Sequence, residues 1–204
     1  MPDTRDRAPT GDASPGDARQ PDEQVPPDED GRPARVAASD LVASCEGAWS
    51  QIQARHPQVP DAVIVLGSGV ERGRLVKLGH WWGGQWRVGD EPRGEVLLAG
   101  EALHLPPEAV VEVLLHEAAH GLNAARGVRD TSRGGRYHNA HFKAAAAEVG
   151  LRPRRLDPYG WARTVLTPAT AEDYAGVIAA YRRRDAPGPG SPGGQGRRAG
   201  GRPY

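Results

Sequence analysis

Branched aliphatic residues are almost absent from both ends of this chain. Residues 1–35 hold one branched aliphatic, Val25, and residues 185–204 hold none. Segments so poor in apolar surface cannot offset the chain entropy lost on folding. Both ends are therefore expected to be disordered tails, and a fold has only residues 36–184 to build from. That stretch matches the usual size of one domain. The first 35 residues carry 9 acidic and 5 basic groups, 5 − 9 = −4, so the neutrality of the whole chain is an acidic front offset elsewhere. The middle and the Gly/Pro/Arg tail are each mildly basic, at 18 − 16 = +2 and 3 − 1 = +2. Cys45 is the only cysteine, which excludes an internal disulfide framework and any four-cysteine zinc module. No apolar run approaches the ~18 residues of a membrane span. The first residues lack the apolar stretch of a secretory signal, so a cytoplasmic protein with no membrane partner is expected.

Within the middle, periodicity predicts an α+β domain, a small sheet packed on helices. Ser39 or Asp40 can cap a helix reaching 55, with Leu41, Val42, Cys45, Trp49 and Ile52 on one face. Residues 61–66 read as a buried strand. Residues 75–78 and 82–88 read as a pair joined across Gly83-Gly84 or Gly79, and 95–99 as a further, edge strand. Pro106 and Pro107 open a helix that runs to about 126. A third helix covers 139–149, ending at Gly150, and a last one covers 169–184.

Residues 110–121 read VVEVLLHEAAHG. Helical spacing places His116 and His120 on the same face, one turn apart. Two imidazoles so placed can hold one Zn²⁺, with bonds of ~2.0–2.1 Å. Glu117 then sits beside the metal rather than on it, where it can accept a proton from an attacking water and return it to a leaving amine. The alternative is an amphipathic helix with two ordinary half-buried histidines. Against it, the apolar stripe of Val111, Leu114, Leu115, Ala118 and Leu122 leaves both histidines off its centre.

A catalytic zinc site takes three protein ligands and keeps one position open. His138, His141 and Glu148 are the candidates for the third. His138 ranks first because it stands in a Gly-rich turn at the start of a helix, where a side chain is easily aimed. His141 lies one turn further on and ranks second, and Glu148 ranks last.

The run HEAAHGLNAARGVRDTSRGGRYHNAHFKAAAAEVGL resembles the SprT-like zinc metallopeptidases. Their pattern is HExxH on a helix, a variable loop, then a histidine four residues before a phenylalanine. His138 and Phe142 match that spacing. The stretch 130–139, DTSRGGRYHN, is similar to bacterial and phage-type SprT-like domains. The likeness covers roughly 39–153 and is strongest over 95–151. It implies a zincin-like fold, zinc held by His116, His120 and His138, and Glu117 as catalytic acid/base. The implied activity is zinc-dependent endopeptidase action on a protein or peptide substrate, with DNA contact as a further partner expectation. Many SprT-like proteins add a zinc ribbon of paired cysteines, which Cys45 alone cannot supply. The rival reading is a non-catalytic, zinc-stabilised module that binds nucleic acid or protein.

Several neighbours admit two readings each. Asp130 can orient a ligand imidazole, but with Thr131 and Ser132 it reads first as a turn former. Tyr137 can donate to an oxyanion, and packing is its favoured role. Trp81, Trp82 and Trp86 can form a stacking platform for single-stranded nucleic acid, against the favoured reading of a hairpin that gives its indoles to the core. Cys45 reads as a buried small hydrophobe. Arg126, Arg129, Arg133, Arg136, Lys143, Arg152, Arg154 and Arg155 surround the third ligand in sequence and can form a basic rim for phosphates.

Overall fold

The computed structural model describes residues 38–69 and 77–185. The expected tails, 1–35 and 185–204 apart from Asp185, lie outside the described residues. The described part is a small mixed α/β domain. Helix α1 (Ala38–Arg55) already contains Ser39 and Asp40. It buries Cys45, Ala48, Trp49 and Ile52, the i, i+3, i+4, i+7 stripe of a one-sided helix. Cys45 is buried as expected, with its Sγ 3.0 Å from the Tyr181 hydroxyl.

Strands β1 (Ala62–Gly67), β2 (Gly79–Val88) and β3 (Glu91–Ala99) form a sheet of order β1-β3-β2. This corrects two expectations. Of the expected pair of 75–78 with 82–88, residues 75–76 lie outside the described residues, and Lys77 and Leu78 precede β2 and bond Gly69 and Ala99 instead. The hairpin partner of β2 is β3, antiparallel, turning at Gly89-Asp90. Nor is the 95–99 segment an edge. It pairs with β1 on one side and β2 on the other, which leaves β1 and β2 as the two edges.

Helix α2 (Pro107–Ala125) crosses this sheet, opened by Pro107 at its first turn. It buries Val110, Val111, Leu114, Leu115, Ala118 and Leu122. Trp81 explains two glycines. Its indole stacks on Trp49 with ring centroids 6.1 Å apart. A Cβ at Gly94 would lie 2.3 Å from this indole, and one at Gly121 would lie 3.2 Å from it. Gly121, a poor residue for a helix interior, thus lets the indole lie against α2. Trp82 and Trp86 do not join Trp81. They are 53% and 43% exposed, which corrects the reading that the hairpin gives all three indoles to the core.

A second sheet, of order β4-β5-β7-β6, joins β4 (Thr131–Ser132), β5 (Tyr137–His138), β6 (Arg154–Leu156) and β7 (Gly160–Arg163). Helix α3 (Ala140–Glu148) follows β5 and buries Phe142, Ala145 and Ala146. Its cap is Asn139, whose side chain accepts from the backbone N–H of His141 and Phe142. The expected last helix is broken at Tyr174 into α4 (Pro168–Asp173) and α5 (Ala175–Asp185). Val177, Ile178 and Tyr181 of α5 join the core. Among the described residues, no helix is long and apolar enough to cross a membrane.

Candidate metal centre

One turn of α2 brings the His116 and His120 rings to 5.2 Å between centroids. The third ring arrives from β5. The His138 backbone N–H donates to Tyr159 O at 3.0 Å, so the β7 side of the sheet fixes its height. Only glycine fits beside it: Gly160 has φ +71°, and a Cβ there would lie 2.2 Å from His138 O. On the other side, Asn139 ties the start of α3 to the loop before β4 by donating to Arg129 O at 2.9 Å. Phe142 lies beneath all three imidazoles, with centroids 4.6, 4.6 and 4.5 Å from His116, His120 and His138.

The Nε2 atoms converge. His138 Nε2 is 3.3 Å from His116 Nε2 and 3.2 Å from His120 Nε2. Tetrahedral coordination with bonds of 2.0–2.1 Å sets ligand atoms roughly 3.3 Å apart. These three histidines can therefore hold a metal ion in the spacing they already have.

The protonation pattern fits as well. Burial, then the neighbouring His120, His138 and Lys77, hold the His116 imidazole well below its usual range. Burial, reinforced by His120, holds His138 down to about 3, although Asp130 acts the other way. Both are neutral at pH 7, the form that binds a metal. His120 Nδ1 lies 2.8 Å from Asp130 Oδ2, an arrangement that puts the proton on Nδ1 and leaves Nε2 a lone pair. Burial alone would raise the Asp130 carboxyl; hydrogen bonds from His120 and Asn123 outweigh that and lower it. Behind His116, the Thr164 hydroxyl donates to Glu112 Oε1 at 3.0 Å, so its oxygen can accept from His116 Nδ1 at 3.4 Å. Burial raises the Glu112 carboxyl.

Glu117 is buried under the sheet edge, and burial raises its carboxyl. The backbone of Trp81 opposes that rise by hydrogen bonding. Trp81 lies on β2, whose outer edge pairs with no other described strand. Ala99 N–H donates to Leu78 O at 2.9 Å. Antiparallel alternation then turns the backbone groups of Gly79 and Trp81 outward. Gly79 has no room for a side chain: a Cβ would lie 2.6 Å from both Glu117 Oε1 and Val113 Cγ1. Glu117, the three histidines and this edge all line one cleft of about 1150 Å³.

No protein-family model matches the chain, and neither a curated protein nor a solved structure matches it. The site therefore stands on its own geometry.

That geometry sorts the expected residues. His116, His120 and His138 come together, with Glu117 beside them. Asp130 reaches His120 directly, so its part goes beyond the turn that its neighbours suggest. His141 stays out: its side chain is exposed, while its backbone carbonyl accepts from Asn123 and its backbone N–H donates to Asn139. Glu148 lies on the surface, paired with Arg126 at 2.7 Å. Tyr137 is not among the cleft-lining residues; its ring lies under the Arg133 guanidinium and against Gly160, so packing is its role. Tyr159 lines the cleft instead. Sequence reasoning missed Thr164, Glu112 and the β2 edge. Glu112 had a signal, since it stands four residues before His116 on the same helix face. Thr164 had none.

Proposed function

We propose that this chain is a zinc-dependent endopeptidase of the SprT-like kind, with a zincin-like arrangement of HExxH helix and edge strand. The observation that carries the reading is the Nε2 triangle of His116, His120 and His138, set in the same cleft as the buried carboxyl of Glu117. Nitrogen ligands in a triangle of that size suit zinc, which when bound supplies a Lewis acid for both the attacking water and the scissile carbonyl. The remaining steps belong to the chain. Asp130 and Thr164 orient two of the ligand rings. Glu117 accepts a proton from the attacking water and delivers it to the departing nitrogen, a task suited to a carboxyl whose affinity for protons is raised by burial. The outward backbone groups of Gly79 and the outward carbonyl of Trp81 support an extended substrate lying along β2, next to Glu117.

The test pairs metal content with turnover in the full-length protein. The native chain should hold one zinc and cleave an unfolded protein such as casein. Glu117→Gln should keep the zinc and lose about 10²–10⁴-fold in rate. Full cleavage by that variant would overturn the role of Glu117. Stoichiometric zinc with no cleavage under any condition, DNA present or absent, would leave the non-catalytic module as the better reading.

A further inference from the structure

The charges lining the cleft are not distributed evenly. Among the described residues, its carboxylates are all turned inward and engaged. Asp130 is held by His120 and Asn123, Glu112 by Thr164 and the Leu166 N–H, and Glu117 is buried against β2. Its cations are Lys77, Arg133, Arg136 and Arg163, and none of the four meets a carboxylate within salt-bridge distance among the described residues. Outside the cleft, Arg55, Arg93, Arg126, Arg155 and Arg182 each pair with an Asp or Glu, while Arg87 and Arg129 donate to backbone carbonyls.

The four cations come from three places around the histidine triangle. Lys77 leads into the β2 edge, and its charge acts on His116, Glu117 and His138. Arg133 and Arg136 bracket the β4–β5 turn that delivers His138. That turn is held by left-handed backbone at Arg133, Gly134 and Gly135, with φ of 53°, 66° and 83°. Arg163 ends β7 beside Thr164. A concave site lined by one exposed sign of charge concentrates the opposite sign.

We infer that this cleft selects peptides carrying Asp or Glu on either side of the bond at the histidine triangle, with Lys77, Arg133, Arg136 and Arg163 as the specificity-determining residues. The inference rests on the peptidase reading for its substrate class. A nucleic-acid backbone is the poorer fit. Such a ligand needs a continuous basic track, and Arg126 and Arg155 of the same sequence cluster are neutralised by Glu148 and Asp157.

Binding separates the possibilities without turnover. The probe set is one labelled extended peptide in three forms, with Glu, Gln or Lys flanking its centre, plus a single-stranded oligonucleotide. Each is titrated by fluorescence anisotropy against the full-length, zinc-loaded Glu117→Gln protein. The Glu form should bind about tenfold tighter than the Gln form, with the gap shrinking as salt rises. The triple change Arg133→Gln, Arg136→Gln, Arg163→Gln should abolish the gap while zinc content stays intact. Arg133→Glu with Arg136→Glu should turn the preference toward the Lys form. Equal binding of the Glu and Gln forms overturns the inference, and so does an oligonucleotide that binds more tightly and displaces the peptide. Turnover by the native protein keeps the two readings apart. Cleavage of all three peptides at equal kcat/KM sinks the charge preference alone. Preferential binding of the Glu form with no cleavage of any peptide sinks the peptidase reading and leaves a site for acidic peptides.

Discussion

Asp130 Oδ2 lies 2.8 Å from His120 Nδ1, on the side of the ring away from the nitrogen that faces His138. A carboxylate there fixes both the tautomer and the orientation of the ring before any metal arrives. Asp130→Ala should therefore weaken zinc affinity by about 10–100-fold. Competition against a chromophoric chelator measures this directly. Unchanged affinity would reduce Asp130 to a turn residue. Asn123, which also donates to Asp130 Oδ2, should contribute less, since its loss leaves the carboxylate in place.

Phe142 is fully buried and touches all three ligand rings, so it belongs to the core and to the site at once. Phe142→Ala should destabilise the fold by about 3–5 kcal/mol. Phe142→Leu should cost less and still loosen the packing beneath the imidazoles. Urea unfolding of the metal-free proteins reads the first effect as a lower midpoint at unchanged slope. Zinc titration reads the second. A Phe142→Leu protein with native zinc affinity would show that the ring serves the core alone.

What was legible in the sequence is what is local. His116, Glu117 and His120 follow from helix periodicity over one turn, and His138 from its place ahead of α3. The Asn139 boundary of α3 also follows, because capping is a short-range event. What was not legible depends on pairings distant in sequence. The 95–99 segment looks like an edge strand when only its own residues are read. It becomes the central strand once β1 and β2 flank it, and nothing in EVLLA encodes that order. Trp81 and Trp82 are neighbours with opposite fates because successive strand residues face opposite sides, one toward Trp49 and α2, the other outward. Thr164 stands 48 residues from His116 and meets it only through the second sheet, a sheet of short strands with little apolar alternation.

Gly79 holds a position that any side chain would contest with Glu117. A Cβ 2.6 Å from both Glu117 Oε1 and Val113 Cγ1 must push one of them aside. Gly79→Ala should therefore lower the proposed peptidase turnover by about tenfold or more through displacement of the Glu117 carboxyl. Overpacking of this kind should also cost about 1–3 kcal/mol in stability. Zinc content should not change, because the ligands lie elsewhere. Gly83→Ala is the matched control on the same strand: its nearest neighbour would be Trp81 Nε1 at 3.9 Å, so activity and stability should both hold. Equal losses in the two variants would attribute the effect to β2 as a whole and not to Glu117.

The buried histidines give the metal-free fold a pH dependence whose sign can be worked out. His138 is held down to about 3 from an ordinary 6.5. Below about pH 6.5 the unfolded chain takes up a proton at this residue that the native state refuses. Stability contributed here is complete above pH 6.5 and falls as the solution is acidified, by up to ~1.4 kcal/mol per pH unit for one histidine. His116 acts in the same direction. Glu112 and Glu117, raised by burial, act oppositely, since the native state keeps protons that the unfolded chain releases. A single stability profile mixes these contributions, so the measurement is a difference. Chelator-stripped native protein and His138→Gln are unfolded in urea at pH 5, 6, 7 and 8. The native protein should lose stability relative to the variant between pH 6.5 and 5, and the two should run parallel above pH 7. Parallel profiles across the whole range would mean that His138 takes up a proton as readily in the fold as outside it. The neutral imidazole that the metal centre requires would then be supplied only when the ion binds.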